Sequence, residues 1–281
     1  MKVTLLGTGS PIPHPDHAGP ATLVRGSDTA LLFDCGRGVV TRLAAAGLVP
    51  SMLDTVFLTH LHSDHVSDLN DVITTHWVMN VAPRALRVVG PVGTAAFVDA
   101  TLAAMSRDVE FRLAHHADLT RAPWVEVTEA QPGESVAVGP LRVRVAASDH
   151  RPVTPSLAYR VEHEATSVVI AGDGVPCATL DELLVGASAY VQTVVREDLV
   201  RAIPSTRLQD ILDYHSSVAQ AAASAQRAGV GALVMTHYVP PVTDETREEW
   251  RALARGFDGL VVVGDDLTTL DLATLEVSAT P

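Results

Sequence analysis

The sequence has little cysteine and no apolar stretch of membrane-spanning length. Its two cysteines, Cys35 and Cys177, cannot form a disulfide framework and are expected to be small buried residues. The apolar runs are short and broken by Gly, Pro or charge, so no membrane-spanning helix is expected. Residues 1–7 lack the long apolar segment and the small-residue cleavage site of a signal peptide. These absences predict a cytoplasmic protein with no membrane partner.

Basic residues are also scarce, since 20 Lys and Arg stand against 33 Asp and Glu and the formal net charge is -13. A protein that neutralises nucleic-acid phosphates needs clustered Lys and Arg, so this balance argues against nucleic acid as a partner. Hydrophobic residues make up 47% of the 281-residue chain and charged residues 19%, which is ordinary for a globular protein that buries a core.

The order of apolar patterns along the chain predicts a layered α/β fold. The sequence contains no internal repeat and no linker, so we expect a single domain over residues 1–281. Strand patterns cluster in two β-rich regions, and helical patterns flank each of them. The last third alternates between a helix at 218–228, a strand at 232–235, a helix at 245–256 and a strand at 260–263. Two sheets packed face to face with helices outside, an αββα sandwich, fit this order best.

A dense group of metal-ligand side chains follows the strand predicted at residues 55–58. Three imidazoles and a carboxylate, those of His60, His62, Asp64 and His65, fall within six residues. His60 and His62 alternate with Leu61, so both imidazoles can converge on one ion while the leucine points into the core. Asp64 and His65 lie beyond the turn, at an angle suited to a second ion. Imidazole and carboxylate are ligand types that zinc and its neighbours prefer, so the segment predicts a metal site.

Three further candidate ligands each follow a predicted apolar strand. His150 comes after the strand at 141–146, Asp173 after the strand at 167–170, and His237 after the strand at 232–235. Strand ends of layered α/β proteins deliver side chains to the edge of the sheet where active sites collect. The shared placement therefore favours one common site.

These motifs resemble the metallo-β-lactamase superfamily, whose first motif is His-x-His-x-Asp-His. The resemblance runs from Gly-Thr-Gly-Ser-Pro at 7–11 to Gly-Asp-Asp-Leu at 264–267. Within the superfamily the chain is similar to the branch of tRNase Z and the zinc arylsulfatases. The motifs that carry this similarity are Ser-Asp-His at 148–150, Ser-Leu-Ala-Tyr-Arg at 156–160, Ala-Gly-Asp at 171–173, Tyr-His-Ser-Ser at 214–217 and Thr-His at 236–237. Residues 62–77 and 112–116 look closer to the arylsulfatase-like group than to tRNase Z.

The resemblance implies two divalent metal ions, zinc first, with manganese and iron as alternatives. The implied ligands are His60, His62 and His150 for metal one, and Asp64, His65 and His237 for metal two. Asp173 would bridge both ions, with a hydroxide between them as nucleophile.

Three implied roles go beyond ligation. Asp64 would also orient the hydroxide. His215 would be the catalytic histidine that donates a proton or stabilises charge on the scissile ester. Asp34, in Phe-Asp-Cys-Gly at 33–36, is a candidate for fixing a ligand, or alternatively an aspartate that caps a turn.

The chain departs from the pattern of these relatives in two places. Gly174 stands where relatives usually have Thr, and Val191 and Gln192 stand where they commonly have a His-Glu pair. An acidic partner for proton transfer would therefore be missing there.

The leading expectation for the function is hydrolysis of a small-molecule ester, a sulfate ester or a phosphodiester. A tRNase Z-like endoribonuclease is the competing enzyme. That enzyme carries a tRNA-gripping arm between the third-motif histidine and the bridging aspartate. Here His150 and Asp173 are separated by about twenty residues, the size of one hairpin. A catalytically impaired metal-binding scaffold is the alternative from a different class. The oligomeric state stays open, with a homodimer suggested by relatives that are often dimers.

Overall fold

The computed structural model describes residues 1–279, whose strands form two sheets. In chain order the strands are β1 (Lys2–Gly7), β2 (Ala21–Gly26), β3 (Thr29–Phe33), β4 (Thr55–Phe57), β5 (Leu86–Gly90), β6 (Val125–Glu129), β7 (Ser135–Val138), β8 (Leu141–Ala147), β9 (Leu157–His163), β10 (Thr166–Ile170), β11 (Ala189–Val195), β12 (Ala232–Val239), β13 (Leu260–Val263), β14 (Thr268–Asp271) and β15 (Val277–Ala279). The first sheet has the order β15-β14-β1-β2-β3-β4-β5-β6, and the second has the order β13-β12-β11-β10-β9-β8-β7.

Helices cover the outer face of each sheet. They are α1 (Val39–Ala45), α2 (Ser63–Val66), α3 (Leu69–Met79), α4 (Thr94–Ala104), α5 (Ser106–His115), α6 (Ala178–Leu184), α7 (Glu197–Arg201), α8 (Thr206–Gln209), α9 (Val218–Ala228) and α10 (Arg247–Ala252), with short 3-10 turns at Pro50–Met52 and Asp210–Asp213. Within residues 1–279, none of these helices has the length and apolarity needed to cross a bilayer.

Three apolar clusters fill the spaces between the four layers. The central cluster joins inward-facing residues of both sheets, including Phe33 and Phe57 of the first sheet and Tyr159 of the second. A second cluster packs α1, α3 and α4 on the first sheet, and a third packs α6, α9 and α10 on the second. The predicted four-layer αββα sandwich is therefore confirmed.

The two sheets also meet through hydrogen bonds close to the metal motif. The Tyr159 hydroxyl donates to the Leu58 carbonyl at 2.7 Å, and the Leu157 amide donates to the Thr59 carbonyl at 2.8 Å. The Phe33 and Phe57 rings stack at 5.0 Å between centroids, and the Tyr159 ring packs against both. These contacts fix the end of β4, where the histidine motif begins, against the first residues of β9.

Two local predictions need correction. The strand predicted at 232–235 continues to Val239, and the helix predicted at 245–256 is helical only over Arg247–Ala252. His115 is the last residue of α5, and His116 follows it directly. Helix α5 buries none of its residues, and its sequence lacks the apolar stripe that predicts a packed helix.

Candidate metal centre

The histidine motif spans a strand end and a one-turn helix. His60 lies three residues beyond the end of β4 and is fully buried. His62 is the N-cap of α2, whose first turn carries Asp64 and His65. The Cys35 amide donates to the His65 carbonyl at 2.6 Å, which ties this turn to the loop after β3. The change from strand to helix points the side chains of the motif in two directions.

The other three candidate ligands reach the same edge from the second sheet. His150 lies three residues beyond β8, and Asp173 three residues beyond β10. His237 lies inside β12 rather than after a strand end, in the left-handed region at φ 51°. Gly172 also has positive φ, and a Cβ there would lie 2.7 Å from the Thr59 side chain, so the tight approach of this loop requires glycine.

The structure brings the seven side chains into two adjoining groups. In each group the candidate ligand atoms lie within 4.8 Å of one another. One group is His60, His62, His150 and Asp173, and the other is Asp64, His65 and His237. This is the division that the resemblance implies. All of them are buried except His62, which is partly exposed and marks the open side of the centre.

Asp173 lies where the two groups meet. Its Oδ2 is 3.8 Å from Nε2 of both His60 and His150 in the first group, 3.3 Å from His65 Nε2 and 3.6 Å from His237 Nε2. One carboxylate oxygen therefore faces imidazoles of both groups, as a bridging ligand would.

Hydrogen bonds select which imidazole nitrogen faces the centre. The Nδ1 atoms of His60, His65 and His150 contact Thr59 Oγ1 at 3.0 Å, Asp34 Oδ2 at 2.8 Å and the Tyr214 carbonyl at 2.9 Å, respectively. These oxygens hold the rings so that Nε2 points inward, which is how metal-ligating histidines are usually oriented.

Buried imidazole nitrogens without hydrogen-bond partners indicate that the centre fits metal ions. Among the described residues, His60 Nε2, His65 Nε2 and His237 Nδ1 are buried and make no hydrogen bond. A buried polar atom left unpaired costs roughly 1–3 kcal/mol, so such atoms are rare without a specific role. Two of them, His60 Nε2 and His65 Nε2, face Asp173 in a cluster of imidazoles and carboxylates, the donor set of zinc, and fit coordination to metal.

The electrostatics of the two groups differ. Burial lowers the pKa of His60 well below its usual value and lowers the pKa of His150 to about 4. Both rings are therefore neutral, which is the form that binds metal. Burial also lowers the pKa of His65, but the charges of Asp173 and Asp34 outweigh it and hold that pKa well above its usual value. An ion bound at His65 therefore competes with a proton.

Asp34 contacts a candidate ligand directly. Its carboxylate accepts hydrogen bonds from the Thr59 amide and hydroxyl, each at 2.8 Å, and from His65 Nδ1 at 2.8 Å. The residue has φ 61°, a strained conformation for a side chain other than glycine. Of the two roles considered for Asp34, these contacts favour fixing a ligand over capping a turn.

His215 lies between the second 3-10 turn and α9, close to both groups. Its Nδ1 donates to the Ile211 carbonyl at 3.0 Å, and its Nε2 lies 3.2 Å from Asp173 Oδ2. Burial lowers the pKa of His215, but the hydrogen bond and charge of Asp173 raise it by more, so the net pKa lies above the usual value. The ring is thus placed to hold a proton beside the centre.

The two departures from the family pattern have structural explanations. A Cβ at Gly174 would lie 2.9 Å from the Asp149 carbonyl oxygen, so the loop leaves no room for a side chain. Gln192 lies on the face of β11 opposite Thr193, where it accepts a hydrogen bond from the Tyr190 hydroxyl and donates to the Gly172 and Thr193 carbonyls. The side chain that faces the centre is Thr193, which was not predicted.

The remaining histidines lie outside the two groups. They are His14, His17, His76, His115, His116 and His163. His76 is buried on α3. His17 is half-buried, with Nδ1 3.1 Å from Thr8 Oγ1 and 3.7 Å from Asp266 Oδ1.

Comparison with known proteins decides the family. Residues 29–238 match the family described as Beta-lactamase superfamily domain. "Ribonuclease Z" of Mycobacterium bovis (strain BCG / Pasteur 1173P2) is 54% identical over 275 residues, which cover 97% of this chain and 98% of that protein. The chain belongs to the metallo-β-lactamase superfamily, in the branch of ribonuclease Z. "Ribonuclease Z" of Mycobacterium avium (strain 104) is 56% identical over 270 residues, covering 95% and 96% of the two chains.

Solved structures of superfamily members share the fold. The metallo-β-lactamase fold protein YhfI from Bacillus subtilis superposes with a TM-score of 0.74 at 22% identity, over 95% of this chain and 97% of that one. Human tRNase Z, short form, gives a TM-score of 0.68 at 22% identity, over 97% and 99%. The predicted superfamily is confirmed, and the protein is a metal-dependent hydrolase of it.

Two expectations from the sequence need correction. The relatives at 54% and 56% identity are named Ribonuclease Z, so the arylsulfatase-like group is not supported. The same finding contradicts the expectation of a small-molecule ester substrate and no nucleic-acid partner, which was wrong. A net charge of -13 sums over the whole chain and does not describe the surface of one cleft. The hairpin of β9 and β10 fills the interval between His150 and Asp173, yet relatives of nearly the same length carry the ribonuclease name.

Proposed function

We propose that this protein is an endoribonuclease of the ribonuclease Z type, which hydrolyses a phosphodiester bond in precursor tRNA. The observation that carries the proposal is the pair of ligand groups around Asp173, in a chain 54% identical to a ribonuclease Z over 97% of its length. Two zinc ions are the proposed cofactors, held by His60, His62 and His150 on one side and by Asp64, His65 and His237 on the other.

When bound, the two ions make hydroxide available at neutral pH and offset negative charge on the phosphate oxygens. Asp173 supplies the shared carboxylate oxygen between the two groups. Burial raises the pKa of Asp64, but the His237 ring, whose Nε2 lies 3.1 Å from Asp64 Oδ2, and the His65 ring lower it by more, so the net pKa lies below its usual value. Asp64 therefore stays ionised and can accept a hydrogen bond from the attacking water.

His215 is the proposed general acid. Because its Nδ1 donates to the Ile211 carbonyl, Nε2 is the nitrogen that faces the centre and holds the transferable proton. That proton passes to the leaving oxygen as the phosphorus–oxygen bond breaks, so the departing alcohol leaves neutral. His62 lies at the partly exposed side of the centre, where a polynucleotide has access.

The decisive experiment is cleavage of a labelled precursor tRNA by zinc-loaded protein, with Asp173→Ala as the control for contaminating ribonuclease. We expect one internal cut by the wild type and none by the variant. An enzyme that holds two ions and cleaves an aryl phosphodiester but leaves every RNA intact would overturn the proposal while leaving the hydrolase assignment in place. Two bound ions with no cleavage of any ester would instead support the scaffold alternative.

A further inference from the structure

The two oxygens of the Asp173 carboxylate have different surroundings. Oδ1 accepts a hydrogen bond from the Thr193 hydroxyl at 2.7 Å, and both residues are buried. Oδ2 faces imidazole nitrogens of both ligand groups at 3.3 to 3.8 Å. A carboxylate that rotated freely would present either oxygen to the centre. The hydrogen bond from Thr193 holds Oδ1, so Oδ2 is the oxygen that faces the centre.

The backbone holds Thr193 rigidly in this place. It lies in β11, in the interior of the second sheet, and pairs with Thr236 of β12. Side chains alternate along a strand, so Thr193 shares the face of Val191, which belongs to the core between the sheets. A β-branched side chain has few rotamers in a strand, so its hydroxyl is pre-oriented.

We infer that Thr193 is a positioning residue that holds Asp173 Oδ1 and thereby keeps Oδ2 as the oxygen that faces both groups of candidate ligands. The inference rests on the proposed function, in which Asp173 bridges the ions. Loss of the hydroxyl lets the carboxylate rotate, so ion binding weakens although no ligand is removed. Partners that orient metal ligands typically contribute tenfold to a hundredfold in metal affinity.

Two comparisons isolate the contribution of the Thr193 hydroxyl. Thr193→Val replaces it by a methyl group of the same shape, and Thr193→Ser and Thr193→Ala differ from one another only by the hydroxyl. Thr22→Val is the matched control, because buried Thr22 of β2 lines a small cavity between the sheets together with Thr193 and makes no hydrogen bond to a candidate ligand. Zinc affinity is measured by competition with a chromophoric chelator, and thermal unfolding of metal-free protein reports the fold.

We expect Thr193→Val and Thr193→Ala to bind zinc at least about tenfold more weakly than wild type, with Thr193→Ser and Thr22→Val close to wild type. Equal affinity in wild type and Thr193→Val, or equal weakness in the Ser and Ala variants, would overturn the inference. If Thr193→Val does not fold, the Ser–Ala comparison decides. Wild-type protein that binds no zinc would instead refute the proposed function.

Discussion

At the scale of single residues, the centre depends on atoms that never touch a metal. The imidazoles of His60, His65 and His150 are oriented by a hydroxyl, a carboxylate and a backbone carbonyl, each 2.8 to 3.0 Å from Nδ1. A ring held by its outer nitrogen keeps its inner nitrogen aimed, so less freedom is lost when an ion binds. The orientation of these candidate ligands therefore depends on a surrounding layer of polar groups.

Replacement of Asp34 tests that dependence. Asp34→Asn keeps the shape but puts a donor amide where the carboxylate accepts from Thr59 and His65. We expect zinc affinity to fall about tenfold or more, as measured by chelator competition. Asp54→Asn is the control, because Asp54 binds the Ala30 amide and Arg84 away from the centre. Unchanged affinity in Asp34→Asn would show that His65 is oriented by packing alone.

Replacement of His215 separates three roles for one ring. For His215→Ala we expect metal content to stay near normal while turnover falls by roughly a hundredfold or more, the usual contribution of a positioned proton donor. The loss is expected to be largest for substrates with poor leaving groups. Elemental analysis and rates on the same sample check this. A variant that loses metal would make His215 a ligand, and one that keeps its rate but melts at lower temperature would make it structural.

His76 makes the free energy of unfolding depend on pH. Burial, with a smaller effect of Arg84, lowers the pKa of His76 to about 4. The unfolded chain, with a histidine pKa of about 6.5, therefore takes up the proton first as the pH falls. Stability from this group is present above pH of about 6.5 and is lost progressively as the pH falls towards about 4, reaching about 2 kcal/mol of loss at pH 5.

The test compares wild type with His76→Phe, which cannot take up a proton. Urea unfolding of both proteins at pH 7 and at pH 5 gives four free energies of unfolding. Effects of metal release that both proteins share cancel when the pH-dependent losses of the two proteins are subtracted. We expect the variant to lose about 2 kcal/mol less than wild type between the two pH values. An equal loss in both proteins would mean that His76 is readily protonated in the folded state.

At the scale of elements, helix α9 fixes the turn that carries His215. The Ser217 hydroxyl accepts from the Gln220 amide, and the Gln220 side chain accepts from the Ser217 amide at 2.8 Å, forming a capping box. The Ser216 hydroxyl donates to the Gly174 carbonyl at 2.8 Å, which ties the start of the helix to the loop of Asp173. A hydrogen bond therefore joins the start of α9 to the loop that carries Asp173.

Removal of the cap has a local cost. We expect Ser217→Ala to lower the free energy of unfolding by about 1 kcal/mol, measured by chemical denaturation, because the Gln220 amide loses its partner. Gln220→Ala removes only the reciprocal bond, so it is expected to cost less. A larger loss in Gln220→Ala than in Ser217→Ala would contradict the assignment of Ser217 as the main cap.

Elements with strong local signals could be predicted from the sequence, and elements defined by distant contacts could not. Helix α9 and strand β13 have the predicted bounds, because capping residues and turn residues mark their ends. Strand β11 was missed, since all seven of its residues are buried and its pattern does not alternate. The seven candidate ligands were named from the sequence because they cluster after strands. Thr193 and the Tyr214 carbonyl were not, because only the fold brings them to Asp173 and His150.

At the scale of the whole molecule, the candidate metal ligands come from both sheets. The motif from His60 to His65 follows a strand of the first sheet, whereas His150, Asp173 and His237 belong to the second. Ions held between them would cross-link the two halves of the sandwich. We expect chelation to lower the melting temperature and zinc to restore it, with a gain of about 2.7 kcal/mol at a free zinc concentration a hundred times Kd.

Asp173→Ala supplies the control for this cross-link. Without the shared carboxylate, the variant is expected to melt at nearly the same temperature with and without zinc. Calorimetric scans of both proteins in chelator and in excess zinc check the expectation. A wild-type melting temperature that does not respond to zinc would mean that the two sheets hold together without the ions.

The pairing of β1 with β14 has a consequence for biosynthesis. Strand β1 lies between β2 and β14, and the Asp266 carboxylate accepts hydrogen bonds from the Thr8 amide at 2.9 Å and the Ala18 amide at 2.7 Å. Strand β1 therefore has both of its neighbours only after residues 268–271 have been synthesised. Domains generally fold as units. A nascent chain stalled before Asp266 would carry every candidate metal ligand yet leave β1 without its β14 neighbour, and such an unpaired sheet edge can pair with another chain.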